Sequence, residues 1–190
     1  MNVEELEIFG VIAFDGSVKN GLHAHPNGED LVYPMGKKVT IKRVKTGEQF
    51  FLTGHENLIS ALCVSSHGDM IASGQLNHHG FKAKIIIWDY EKREMSASYE
   101  MHKVRVDGMC FTEGGEYLIS LGGRDDGRII IWDVRKQSPL SGNHCVNIVH
   151  FVQKSTISMS RYKCFARRDG TDDTDDTQVP SRGAKRMGTR

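Results

Sequence analysis

An all-β fold made of tandem repeats is what the sequence predicts, and three observations predict it. Two stretches match position by position, His55 with His102, Cys63 with Cys110, Gly68 with Gly115 and Ser73 with Ser120. Each stretch runs on to the same ending, Ile85-Ile86-Ile87-Trp88-Asp89 in one and Ile129-Ile130-Ile131-Trp132-Asp133 in the other, with the tryptophans 44 residues apart. Short β-branched runs alternate with turn residues throughout, and no stretch carries the apolar period of a helix of useful length.

The elements follow in order. A worn third copy opens the chain: His25 to Tyr33 aligns with His67 to Ser73, and the strand Lys38-Val39-Thr40-Ile41-Lys42 follows without the Trp or the Asp. Leu58 to Val64 and Val106 to Phe111 alternate or run apolar, as strands do. Ile85–Trp88 and Ile129–Trp132 are short, β-branched and closed by an aromatic, which suits buried strands. The clusters Ser66-His67-Gly68-Asp69, Glu113-Gly114-Gly115-Glu116 and Asp125-Asp126-Gly127 are turns. Asp126-Gly127 before an apolar strand reads as a hairpin pair.

Composition sets the limits. Of 190 residues 38% are hydrophobic and 26% charged, which fits a globular chain, and a net charge of +1 gives no overall pull toward nucleic acid. The charge is uneven: residues 151–190 hold nine of the 25 Lys and Arg but only five of the 24 Asp and Glu. That stretch is expected to be a divergent, disordered tail on a domain spanning residues 1–150. The acidic start and the absence of any apolar run near about 20 residues predict a protein of the cytosol or an attached compartment, without a membrane span. Cys63, Cys110, Cys145 and Cys164 form no CxxC pair and are expected as free thiols.

These repeats resemble the WD-repeat β-propeller family. In that family a Gly-His pair, a later Ser or Thr, a turn Asp and the strand-ending Trp form one hydrogen-bonded network per blade. Carried over by position, the second repeat offers His102, Ser120, Asp126 and Trp132, with Met101 where the Gly would stand. The first offers His55, Ser73 and Trp88, but Lys82 occupies the place of the Asp, and residues 77–81 are extra. Its network is therefore expected to be incomplete and its blade less rigid. The resemblance implies an incomplete propeller of two to three blades: a degenerate one over about 8–50 and WD repeats over about 54–92 and 101–136. Closure needs about four to eight blades, so these are expected to open a larger toroid.

A closer resemblance, to WD-repeat proteins of motile axonemes, rests on particular residues. They are Gly21-Leu22 before His25-Pro26, Val32 to Gly36, Ile71 to Gln75, Gly80 to Ala83, Ile87 to Tyr90, and Leu121-Gly122-Gly123 with Asp125-Asp126-Gly127. This implies a non-catalytic scaffold that binds tubulin and neighbouring inner proteins of axonemal doublet microtubules. The alternative is a soluble WD-repeat adaptor in a ubiquitin-ligase or signalling complex. On either reading the partners meet divergent loops, with Asn77, His78, His79 and Phe81 in one and Arg124 and Asp125 in the next. No cofactor, metal, nucleic acid, membrane or small-molecule substrate is expected.

Other constellations weigh less. His102, Ser120 and Asp126 have the residue types of a hydrolase triad, but no Gly-x-Ser-x-Gly elbow accompanies them. His78-His79 could hold a metal with Cys63 or His67, yet adjacent side chains on a strand diverge. Cys145 with His144 and His150 matches no common metal spacing. A calcium loop starting at Asp169 meets Pro180 where its twelfth-place Glu belongs. The Gly-rich stretches at 114–115 and 122–127 match neither phosphate loop, and the basic run Arg182 to Arg186 lacks interleaved aromatics.

Overall fold

The computed structural model describes residues 16–144, with side chains to residue 142. Its strands are β1 His23–Ala24, β2 Asp30–Met35, β3 Lys38–Arg43, β4 Gln49–Thr53, β5 Ile59–Val64, β6 Met70–Gln75, β7 Lys82–Asp89, β8 Glu94–Lys103, β9 Val106–Phe111, β10 Tyr117–Gly122, β11 Arg128–Asp133 and β12 Ser138–His144. Consecutive strands pair antiparallel into three four-stranded meanders, β1–β4, β5–β8 and β9–β12. These are three propeller blades in sequence, and no helix occurs among the described residues.

The continuous apolar runs follow from where each sheet is buried. Side chains alternate across a strand, so a sheet covered on both faces needs apolar residues at every position. The middle sheet meets that condition. Ile86 and Trp88 point toward the first sheet, packing with Val32, Val39, Ile41 and Leu52. Ile85 and Ile87 point the other way, packing with Val106, Met109, Leu118, Ile130 and Trp132 of the third sheet. Each such buried side chain contributes about 1.5–3 kcal/mol. In the third sheet Ile130 and Trp132 are buried while Ile129 and Ile131, on the other face, are only half-buried.

One glycine recurs for a backbone reason. Gly28, Gly68 and Gly115 sit at the same place in the turn between the first two strands of their sheets, with φ of 73°, 81° and 71°. A β-carbon is costly in that left-handed region, and glycine turns the chain there freely. The turn between the third and fourth strands also needs positive φ. The first sheet meets it with Gly47 (77°), the others with Arg93 (58°) and Gln137 (53°).

The sheets and the sequence repeats are out of phase. His55 lies in the link between β4 and β5, and His102 lies within β8, the last strand of the middle sheet. Each repeat thus begins at the outer edge of one sheet and finishes inside the next. No helix among the described residues is long and apolar enough to cross a membrane.

Candidate functional site

The third sheet carries a buried relay of four side chains. The Trp132 indole N–H donates to Ser120 Oγ at 2.7 Å, and that hydroxyl lies 2.7 Å from His102 Nε2. On the far side of the ring, His102 Nδ1 lies 2.5 Å from Asp126 Oδ2. The indole can only donate, so the hydroxyl proton goes to Nε2 and the ring proton sits on Nδ1, facing the carboxylate. His102, Ser120, Asp126 and Trp132 are all at most 2% exposed. Burial holds the His102 pKa down, while Asp126 pulls against it. The relay crosses a sheet boundary: His102 belongs to β8, its partners to β10, β11 and the link between them.

That link is five residues long, 123–127, rather than the tight hairpin that Asp126-Gly127 predicts. Asp126 N–H and Gly127 N–H both donate to the Gly123 carbonyl, which folds the Asp126 side chain inward. Space for the carboxylate exists because residue 122 is glycine. A β-carbon there would lie 2.2 Å from Asp126 Oδ2 and 2.7 Å from His102 Nδ1.

In the middle sheet the expectation of an incomplete network does not hold. Trp88 Nε1 donates to Ser73 Oγ at 2.7 Å, and Ser73 Oγ lies 2.7 Å from His55 Nε2. Lys82 does not replace the missing Asp. Gln75 does, with Oε1 accepting from His55 Nδ1 at 3.0 Å and from the Glu56 N–H at 3.3 Å. Gln75 and Gly122 are equivalent, each two residues past the relay serine on the same strand. In one blade the amide grows from the strand; in the other glycine clears that volume for a carboxylate from the loop. A neutral acceptor leaves the imidazole with little charge compensation, so burial drives the His55 pKa down to about 4.

The first sheet has Tyr33 at the serine position and Lys42 at the tryptophan position, so the relay has no counterpart there. A different clasp joins it to the middle sheet at the opposite end of the strands. The His25 ring stacks on Tyr90 with centroids 3.8 Å apart, and His25 Nε2 donates to the Gly68 carbonyl at 2.7 Å. The Tyr90 hydroxyl donates to Asp30, which also accepts from Asn27 Nδ2 at 3.2 Å and Arg43 Nε at 3.3 Å. Burial and then Asp30 raise the Tyr90 pKa to about 12. Sequence reasoning missed this clasp; the His25-Pro26 pair was its visible trace.

The relay has the composition of a hydrolase triad but not its access. Ser120 is fully buried and its oxygen already accepts from Trp132, so no substrate can reach it. Among the described residues no group of three His, Cys, Asp or Glu side chains could hold a metal ion. Cys63 is buried with its thiol pKa raised well above the usual range, and Cys110 is half-buried with its own raised to about 11, so neither thiol ionises near neutrality. Cys145, His150 and the acidic and basic runs of residues 151–190 lie outside the described residues.

The two divergent loops stand at the same end of the neighbouring sheets. His78, His79, Phe81, Arg124 and Asp125 are exposed, and Phe81 is 63% exposed. Asn77 is half-buried, held by Asn57 and the Lys82 carbonyl. Asp126 faces the core, so the second loop presents Arg124 and Asp125 alone.

Residues 47–89 and 93–133 each match the WD domain, G-beta repeat. This is a WD-repeat chain. Both matches start at or just before the outermost strand of one sheet and end at the Trp-Asp of the next, which is the phase offset seen in the fold. The WD-repeat chain is 46% identical over 143 residues to cilia- and flagella-associated protein 52 of Mus musculus, covering 75% of this chain and 23% of that one. Its counterpart in Chlamydomonas reinhardtii is 38% identical over 157 residues, 80% of this chain and 26% of the other. WD repeat-containing protein 90 of Mus musculus is 24% identical over 150 residues, 78% of this chain and 8% of that one. These names describe cilia-associated and WD-repeat proteins, not enzymes. The chain spans about a quarter of the length of the cilia-associated relatives it matches.

Proposed function

We propose that the chain is a non-catalytic structural scaffold of motile cilia and flagella. Its partners on this reading are tubulin and neighbouring inner proteins of axonemal doublet microtubules. The observation that carries it is the 46% identity, over three quarters of the chain, to a protein named for cilia and flagella. The geometry suits the role. Buried relays hold the sheets rigid, and loops rooted in a rigid scaffold make reproducible contact surfaces. The relay residues His55, Ser73, Trp88, His102, Ser120, Asp126 and Trp132 are structural on this reading, and the partner-facing residues lie in the loops at 77–81 and 124–125. The cellular location is the cytoskeleton of the axoneme.

Mass spectrometry of salt-washed axonemes and of the matching soluble fraction tests this. The tryptic peptide Val106–Arg124 should remain with the salt-resistant axoneme. Its recovery in soluble complexes alone would replace the scaffold with the adaptor reading.

A further inference from the structure

Three links between strands meet at one end of the second and third sheets and are bonded in series. Val104 N–H, between β8 and β9, donates to the Phe81 carbonyl at 2.9 Å, and the Asn77 N–H donates back to the Val104 carbonyl. Leu76 and Arg105 form a β-bridge, and Gly123 N–H donates to the Arg105 carbonyl at 3.0 Å. The insert at 76–81, the link at 104–105 and the loop at 123–127 are therefore one platform rather than three separate loops.

The platform holds strain at its centre. Val104 has φ of 62°, and the Arg105 N–H closes back on the Lys103 carbonyl at 2.7 Å. This is a γ-turn of the rarer hand with a β-branched residue at its middle, an arrangement kept only where the surroundings enforce it. Strain of this kind clusters at contact sites.

The platform's charge is unbalanced as well. Lys82 and Lys103 stand directly opposite in the β7–β8 register, and both are exposed. Like charges so placed repel. Among the described residues neither has a carboxylate within 4.0 Å. Arg124 is exposed alongside them without an ion pair among the described residues, and Phe81 adds an uncovered ring. The opposite end of the sheets is mixed in sign: Glu29, Asp69, Glu91, Glu113 and Glu116 are exposed on its turns beside Lys45, Lys92, Arg93, Arg135 and Lys136, and three of those cations are paired, Lys45 with Glu29, Lys92 with Asp89 and Lys136 with Asp133.

We propose that this platform docks an acidic polypeptide segment. Carboxylates of the segment pair with Lys82, Lys103 and Arg124, and an apolar side chain packs on Phe81. Separately placed cations suit separately placed carboxylates. A nucleic acid strand would want a continuous groove with several stacking rings, whereas among the described residues Phe81 is the one exposed ring at the platform, and Asp107 and Asp125 interrupt the positive surface. The proposal deepens the scaffold reading, on which it rests for why such a partner is met, and not for the chemistry of the contact.

The test is fluorescence anisotropy of a labelled oligoglutamate peptide with the full chain and its variants. Lys82→Glu turns a repelling cross-strand pair into an attracting one, so the melting temperature should hold or rise. Peptide affinity should nonetheless fall by roughly tenfold. Lys45→Glu, at the opposite end, should leave affinity unchanged. Unaltered binding by a well-folded Lys82→Glu chain overturns the proposal, as does an equal loss from Lys45→Glu. Tighter binding of single-stranded RNA than of the peptide overturns it in favour of a nucleic-acid surface. Axoneme retention separates it from the scaffold reading. If Lys82→Glu keeps the peptide and stays in axonemes, the platform is overturned as the docking site and the scaffold stands. If the unmodified chain binds the peptide but is absent from axonemes, the platform stands and the scaffold falls.

Discussion

The relays of the second and third sheets reach the same hydrogen-bonded end by different routes. Both run from tryptophan to serine to histidine with 2.7 Å contacts. They part at the last acceptor: a neutral amide on the strand in one sheet, a carboxylate from a loop in the other. What is kept is a volume filled by an acceptor facing Nδ1; which residue fills it, and from where, is free. The choice still has an electrostatic effect. A carboxylate opposes the depression of an imidazole's pKa by burial, and a neutral amide does so much less.

Removing what the relays share gives the largest effect. Trp88→Ala and Trp132→Ala each empty a site at most 2% exposed and should cost about 3–5 kcal/mol in denaturant unfolding. An unchanged midpoint would remove the relay from any account of stability. Acid probes how they differ. The folded pKa of His55, about 4, lies below its ordinary value of 6.5. Between those values the unfolded chain binds the proton and the folded chain does not. Stability from this group is therefore complete above about pH 6.5 and is lost as pH falls through about 4, by about 3 kcal/mol in all. Gln75→Glu should raise the His55 pKa and flatten that acid loss; an unaltered pH profile would count against the amide as the cause.

An exchange of the two designs should show that they are equivalent. Asp126→Ala leaves His102 Nδ1–H without its acceptor and should cost about 2 kcal/mol. Gly122→Gln combined with Asp126→Gly, which also removes the Asp126 β-carbon that would lie 2.8 Å from the new one, should recover part of the loss as the His102 ring gives way. The same Gly122→Gln with Asp126 present should destabilise, because the two side chains need one space. The smallest effect lies in the turn where the first sheet uses Gly47. Gln137→Gly relieves a positive φ but loses the bond from Gln137 Nε2 to the Ser96 carbonyl, so thermal melting should show a gain of at most a few tenths of a kcal/mol.

Much of this architecture is written in single residues. The Ile85-Ile86-Ile87-Trp88 run marks a strand covered on both faces, and the turn glycines mark left-handed backbone. The outer strands are harder to read, because β8 sets exposed Glu94, Ser96, Ser98 and Glu100 against buried Ala97 and Tyr99, a mixed pattern that loops share. Gln75 is missed when the acceptor is sought only in the turn. Strand alternation places it on the same face as Ser73, which was the available signal. The link-to-link bonds of Val104 and Arg105 are made by backbone groups, and residue identity hardly encodes them.

The phase offset between repeats and sheets has a mechanical side. Tension along the chain passes from the second sheet to the third through the short backbone link at Val104–Arg105. His102, one residue before Lys103 at the end of β8, is pinned inside the next sheet by Ser120 and Asp126. The side-chain anchor and the peptide link therefore lie in parallel, and a pull that would peel β8 from its sheet must also draw an imidazole out of its neighbour. A single chain is joined at that seam as two overlapped planks are, by a lap and not by a butt joint.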